Sequence, residues 1–336
     1  MKSLQKFFLI SFSLLYFAFC GCDKDEGPLT SEVQTYQTSS GAVACIDNYP
    51  LYSLEYSGDY KFDEYLLTGN IPFFASNISD STIFGCTCFS AFGGDTRLTG
   101  RNYDWSTHST YFIVFTNPPN AYSSISTIDL GFFDYNQGEP PDSPDNQAML
   151  RSIPYYPFDG VNEKGVSVGM NALSTSQAPY DPSKVTIGEL QCIRLILDYA
   201  ASTQEAIGLI QQYNIRMENP PIHYLIADSS GHSVIIEFVN GVMEIMHNSD
   251  PWQVTTNFVI TGLSNPQSAP CWRYRTAYQT LNDCGGSMSE SDAVNLLQNV
   301  SVSSTRWSSV FNLKSCEIRI AMGRSYNEQH YFTVIK

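Results

Sequence analysis

Two cysteines one residue apart, Cys86 and Cys88, head the stretch FGCTCFSAFGGDTRLTGRNYDW at residues 84–105, and Arg101 and Asp104 close it. A thiolate is a nucleophile, and a neighbouring cation lowers the thiol pKa. The Gly-Gly-Asp turn between the two halves predicts a hairpin. With GGDT as its loop, Phe92 faces Arg97 and Cys86 faces Tyr103. Arg101 then falls one diagonal step from Cys86 on the same face, within reach of a long side chain. Asp104 takes the opposite face. On these residues alone each cysteine can be a nucleophile, a disulfide partner or packing, and Arg101 can be part of a solvated pair. Other chemistries are poorly represented. No Ser–His pairing stands out. The five histidines are scattered without metal-ligand spacing, so no metal and no cofactor is expected.

The chain around this stretch has 336 residues, 43% hydrophobic and 13% aromatic, which is the composition of a globular protein. Eighteen basic against 33 acidic residues give a net charge of −15, which argues against nucleic acid or an anionic membrane surface as partner. Lys2 and Lys6 precede an apolar run from Phe7 to Phe19 and then CGCDKDEG. That is an export signal too short to span a bilayer comfortably. A cysteine at its end resembles a bacterial lipoprotein signal, and Cys22, preceded by Gly21, is the expected lipid anchor. An ordinary cleaved secretory signal is the alternative, and either way the protein is exported. The expected divisions are a signal peptide at 1–21, a polar tether at 22–44 and a leading segment at 45–85, with one globular domain from 86 to 336. Seven cysteines remain beyond the signal, an odd number that one reactive thiol and three disulfides would satisfy.

Strand patterns dominate. VNEKGVSVGMNAL reads as a hairpin, HYLIAD-SSG-HSVIIEF-VNG-VMEIM as three antiparallel strands, and QVTTNFVITG as a further strand. IGELQCIRLILDYAA has helical periodicity. STQEAIGLIQQY follows as a second helix, with Ser202 and Glu205 in capping-box positions. SESDAVNLLQNV reads as a third, capped by Ser289 or Ser291. Hairpins with helices grouped between them indicate an α+β protein whose sheets are covered by helices.

CTCF…GRNYDW resembles the C-[ST]-x-F…GRNxD signature of N-terminal-nucleophile hydrolases acting on linear amides. That group includes choloylglycine hydrolases, penicillin V acylases, acid ceramidase and the isopenicillin N acyltransferases. NEKGVSVGMNAL, IHYLIAD…VIIEF, VTTNF, RYRTAY and TRWSSVFN are similar to further elements of that family, in its order. The resemblance implies a four-layer αββα sandwich. It makes Cys86 the nucleophile, because the family's cysteine stands three residues before the Phe, and leaves Cys88 at a variable position. It also implies catalytic roles for Arg101, Asp104, Asn171, Asn257 and Arg273, with Arg275 the alternative to Arg273, and with Asn171 and Asn257 as oxyanion donors. Such enzymes use the α-amine of the nucleophile as general base, with a pKa of about 7.7–8.0. A cut between Gly85 and Cys86 is therefore expected, made by the chain itself. The implied reaction is hydrolysis of a small-molecule N-acyl amide through a thioester. Acyl transfer and an inactive lipid-anchored binding protein stay open as alternatives. The membrane is expected as partner only through Cys22, and a homo-oligomer is allowed.

Overall fold

The computed structural model of the chain describes residues 35–38, 41–71, 84–133, 135, 140–141, 143–218 and 220–334, all within one compact unit. Strands β1 (Thr35–Thr38), β2 (Gly41–Asp47) and β3 (Leu51–Ser57) precede a short helix, α1 (Phe62–Thr68). The cysteine hairpin is β4 (Phe84–Ala91) with β5 (Leu98–Trp105). Next come β6 (Tyr111–Asn117), β7 (Ser124–Asp129), α2 (Gln147–Ser152), β8 (Asp159–Asn162) and β9 (Val166–Ala172). β10 (Thr186–Gly188) leads into α3 (Glu189–Tyr199) and α4 (Thr203–Ile210), and β11 (Asn214–Arg216) pairs with β10 in parallel. The expected antiparallel trio is β12 (Ile222–Asp228), β13 (Ser233–Val239) and β14 (Val242–His247). β15 (Trp252–Thr255), α5 (Trp272–Asp283) and α6 (Glu290–Asn299) follow. The meander β16 (Thr305–Asn312), β17 (Glu317–Met322) and β18 (Gln329–Thr333) ends the fold.

Ten strands form one sheet in the order β1-β2-β3-β6-β7-β8-β9-β12-β13-β14, and six form another, β15-β4-β5-β16-β17-β18. In these two sheets only the β3–β6 pair is parallel. The two-residue period of a strand sorts the side chains of β4 between two cores. Cys86, Cys88 and Ser90 turn toward the large sheet, where Cys88 Sγ meets the Met170 carbonyl at 3.7 Å and Ser90 Oγ meets Ser233 Oγ at 2.9 Å. Phe89 and Ala91 turn the other way, into the cluster formed by Ala277 and Leu281 of α5 and Ala293 and Leu297 of α6. Gly100 lies opposite Phe89, and a Cβ there would stand 2.4 Å from the Phe89 ring. Only glycine lets that ring lie across β5. With α3 and α4 packed on the large sheet, the layers are αββα, as expected.

The leading segment is built into this architecture. The Tyr60 phenol donates to both oxygens of the buried Asp198 at 2.6 and 2.7 Å, and Asp198 pairs with Arg194 of α3 at 2.9 Å. Tyr155 closes the group by donating to the Tyr60 carbonyl at 2.5 Å. Strand pairing also reaches into the stretch assigned to a tether, since β1 and much of β2 lie before residue 45.

Other local expectations changed for identifiable reasons. β15 ends at Thr255, and Ile260 and Thr261 give their main-chain N–H groups to Glu237, each at 2.8 Å, instead of to a neighbouring strand. Ser202 caps α4, but Glu205 takes the N–H of Ala201, so the box is displaced by one residue. Ser289 caps α6 and closes a full box with Asp292. The RYRTAY element lies in a helix, α5, that the strand-rich pattern did not suggest. Cys86, Cys88, Cys192, Cys271 and Cys284 are free thiols, which removes the arithmetic of three disulfides.

Candidate active site

The expected register holds residue for residue: Cys86 is opposite Tyr103, Cys88 opposite Arg101 and Gly85 opposite Asp104. Arg101 reaches diagonally across the pair, and its Nη2 lies 3.8 Å from Cys86 Sγ. The guanidinium is fixed from several sides. Nη1 donates to Asp159 Oδ2 at 2.7 Å, Nε donates to the Met170 carbonyl at 3.2 Å, and the plane lies over the rings of Tyr103 and Trp307. Asp159 also accepts from Thr127 Oγ1 and from the Trp307 indole at 3.3 Å. Burial pushes the Cys86 thiol up, and Arg101 is the strongest influence pulling it back. Cys88 is pushed up to about 12, chiefly by burial. Arg101 pulls both thiols down, and what separates them is that Cys88 gives its S–H to the Met170 carbonyl while Cys86 lines a cleft.

The nitrogen of Cys86 sits in a second constellation. Its N–H donates to Asn257 Oδ1 at 2.7 Å, and Arg273 Nη2 donates to the same oxygen at 2.8 Å. Arg273 Nη1 contacts the Cys86 carbonyl, Thr87 Oγ1 at 3.1 Å and Asp104 Oδ2 at 3.4 Å. Asp104 stays on the opposite face from the Cys86 thiol, as the register demands, yet its cross-strand position puts it beside the Gly85–Cys86 peptide. A bulge between Thr305 and Trp307 of β16 lets Thr305 donate to Asp104 Oδ1 at 2.6 Å while Trp307 stacks on Tyr103. Burial raises the Asp104 pKa to about 6, against the pull of Thr305 and Arg273. A Cβ on Gly85 would lie 3.1 Å from Asp104 Oδ2 and 3.4 Å from Arg273 Nη2, so a side chain here would press on both groups. Arg275, two residues and about 200° around the helix from Arg273, donates instead to the Ala269 carbonyl.

The two asparagines are not equivalent. Both groups facing Asn257 Oδ1 are pure donors, which fixes the orientation of its amide, and Nδ2 donates to the Ala172 carbonyl at 2.8 Å. Asn257 therefore holds the Cys86 nitrogen, and one of the two N–H groups of its amide is engaged at the Ala172 carbonyl. Asn171 Oδ1 accepts from Thr255 Oγ1 at 2.5 Å, while its buried Nδ2 has no acceptor.

A buried pair missed at the level of sequence holds the Asn257 loop. His223 Nδ1 meets Glu237 Oε1 at 2.7 Å, and its Nε2 meets the carbonyl of Thr256, next to Asn257, at 2.8 Å. Glu237 also accepts from Thr261 Oγ1 at 2.7 Å, besides the two loop amides. The available signal was a His and a Glu inside apolar strands, where charged residues are rarely buried unless paired.

Cys86 opens onto a largely apolar cleft walled by Tyr103, Trp105, Phe158, Met170 and Ile222, with Glu189 and Glu218 also lining it. Among the described residues, no group of three or more His, Cys, Asp or Glu is placed to hold a metal ion.

Comparison with known proteins is consistent with this geometry. The family of linear amide C–N hydrolases called the choloylglycine hydrolase family matches residues 86–259, just over half the chain, and the match begins on Cys86. Penicillin V acylase of Pectobacterium atrosepticum is 31% identical over 113 residues, which are 30% of this chain and 29% of that protein. The chain thus aligns with less than a third of the length of that curated relative. Among solved structures, penicillin V acylase from Agrobacterium tumefaciens has a TM-score of 0.50 at 20% identity, covering 70% of this chain and 83% of that one. A conjugated bile acid hydrolase variant from Clostridium perfringens has a TM-score of 0.53 at 16% identity, covering 74% and 92%. The likeness extends the shared fold well beyond the matched segment, and the chain belongs to the choloylglycine hydrolase family of linear amide C–N hydrolases.

Proposed function

We propose that this protein hydrolyses a small N-acyl amide with Cys86 as nucleophile, after cutting its own Gly85–Cys86 bond. The observation that carries this reading is the double setting of Cys86: its sulfur against Arg101 and an apolar cleft, its nitrogen against Asn257 beside Asp104 and Arg273. In the maturation step Sγ attacks the Gly85 carbonyl carbon. The C–N bond breaks, the nitrogen takes the thiol proton, and water hydrolyses the resulting thioester. The products are a Gly85 carboxylate and a free Cys86 amine. Packing of Tyr60 and β3 into the core keeps the leading segment in place after the cut.

In turnover the free amine takes the Sγ proton, and Sγ attacks the substrate carbonyl to form a thioester acyl-enzyme. The Asn171 amide donates to the oxyanion, a contribution of about 3–4 kcal/mol in comparable sites. Asn257 and Asp104 orient the Cys86 amine, Arg273 braces both, and the amine returns its proton to the leaving nitrogen. Water then releases the acid. The test is a panel of conjugated bile salts, penicillin V, N-acyl homoserine lactones, ceramide-like lipids and N-acyl peptides, scored for free amine. One class is expected to be cleaved, and Cys86→Ala is expected to abolish it. Release that survives Cys86→Ala, or none from any class, would overturn the reading.

Export and anchoring through Cys22 are part of the same proposal. They rest on the signal-like sequence, since residues 1–34 lie outside the described residues. Labelled palmitate should enter the wild-type protein in a bacterial host and not Cys22→Ala.

A further inference from the structure

The cleft beside Cys86 is apolar except at Glu189 and Glu218, and Glu218 is already paired with Arg216, so Glu189 is the carboxylate that the hydrolase reading leaves unused. Glu189 is the first residue of α3 and is 5% exposed. Its carboxyl is held by main-chain amides, its own and that of Glu218. Its second oxygen, Oε2, is buried without any donor. The nearest cation on that side, Arg216, is engaged with Glu218 at 2.7 Å. A buried acceptor with no partner is costly, and the cost is removed by any ligand that brings a donor.

The order of product release says which part of a substrate meets this oxygen. The amine must leave before water can attack the thioester, so it needs the path to solvent. The acyl group stays on Sγ and occupies the cleft between Tyr103, Phe158 and Met170. We propose that Glu189 sets acyl specificity, by accepting a hydrogen bond from a hydroxyl or amino group on the far part of an otherwise apolar acyl group. This rests on the amide-hydrolase reading and names the substrate class within it. Burial raises the Glu189 pKa to about 7, so near neutral pH the carboxyl is shared between its two forms, and a donor brought by the ligand favours the ionised one.

The test compares p-nitroanilides of 4-hydroxyphenylacetic and 4-methylphenylacetic acid, which differ only in the donor. Wild type is expected to favour the hydroxyl compound by about 10- to 100-fold in kcat/KM. Glu189→Leu should lose or invert that preference while still cleaving the methyl compound. Glu189→Gln, isosteric and with a carbonyl acceptor, should keep part of it. A parallel measurement needs no turnover: protection of Cys86 from iodoacetamide by 4-hydroxyphenylacetamide against 4-methylphenylacetamide. Equal kcat/KM ratios in wild type and Glu189→Leu would overturn the Glu189 assignment and leave amide hydrolysis standing. No p-nitroaniline from wild type, with protection still favouring the hydroxyl amide and lost in Glu189→Leu, would remove hydrolysis and keep the assignment. Neither turnover nor selective protection would overturn both.

Discussion

Replacing Arg101 with Met separates its effect on the Cys86 thiol from its effect on the fold. The guanidinium stands 3.8 Å from Sγ, where a full charge pair is worth about 4 kcal/mol at an effective dielectric of 20. Asp159, 2.7 Å from the same guanidinium, offsets part of that field. The net effect should therefore fall within the range of about 1–3 pKa units usual for a close cation. Loss of the cation removes a stabiliser of the thiolate, so the thiol pKa rises. Arg101→Met also strands the buried Asp159 carboxylate, at a cost of about 3–5 kcal/mol in stability. The double variant Arg101→Met/Asp159→Asn removes that stranded charge and should recover most of the stability without restoring the cation. The assay is the iodoacetamide alkylation rate of Cys86 against pH, read by mass spectrometry, beside urea denaturation. The alkylation midpoint should move up by about 1–3 pH units in both variants, while the double variant unfolds near the wild-type urea concentration. A wild-type midpoint in folded Arg101→Met would refute the role of Arg101. A midpoint restored in the double variant would show that fold damage, not charge, was at work.

Asp104 carries a folded pKa of about 6, above its unfolded value, so the native state binds the proton more tightly between about pH 4 and 6. Its contribution to stability falls as pH rises through that window, by roughly 2–3 kcal/mol for the two-unit shift. Asp104→Asn should therefore melt above wild type at pH 8 and close to it at pH 4, while losing activity. Glu237 has a depressed pKa, through its bonds to His223 and the loop amides working against burial. Its stabilisation is present above the ordinary carboxylate pKa and is lost as pH falls through the lowered one. Glu237→Gln turns an amide N–H toward Thr261, whose main-chain N–H and hydroxyl both donate to this side chain. It should cost about 2–4 kcal/mol by urea denaturation, and activity should fall as the Asn257 loop loosens. Gly85→Ala presses a methyl onto Asp104 and Arg273. An uncut chain should then accumulate on gels with little change in circular dichroism.

The hairpin register was legible because a Gly-Gly-Asp turn between two strands leaves few loop lengths, and one slip would have put Arg101 on the wrong face. The helices α3, α4 and α6 were legible from periodicity and caps. α5 was not, because its buried face is short (Arg273, Tyr274, Ala277 and Leu281), and Trp272 and Arg275 break the pattern. The positions of Asn171 and Asn257 followed from resemblance, but how each amide is oriented depends on partners far away in sequence, Thr255, Ala172 and Arg273. Asp159, the partner of Arg101, was invisible for the same reason. It comes from β8, 58 residues from Arg101, and only the stacking of the two sheets brings them together.

Cys86 is proposed as both the nucleophile and the first residue of the mature catalytic chain. Intact mass of wild type and Cys86→Ala, purified in parallel, tests it most directly. Wild type should yield two associated chains, the larger beginning at Cys86, and Cys86→Ala a single uncut chain. A wild-type chain that remains whole and still releases amine from its substrate would contradict it.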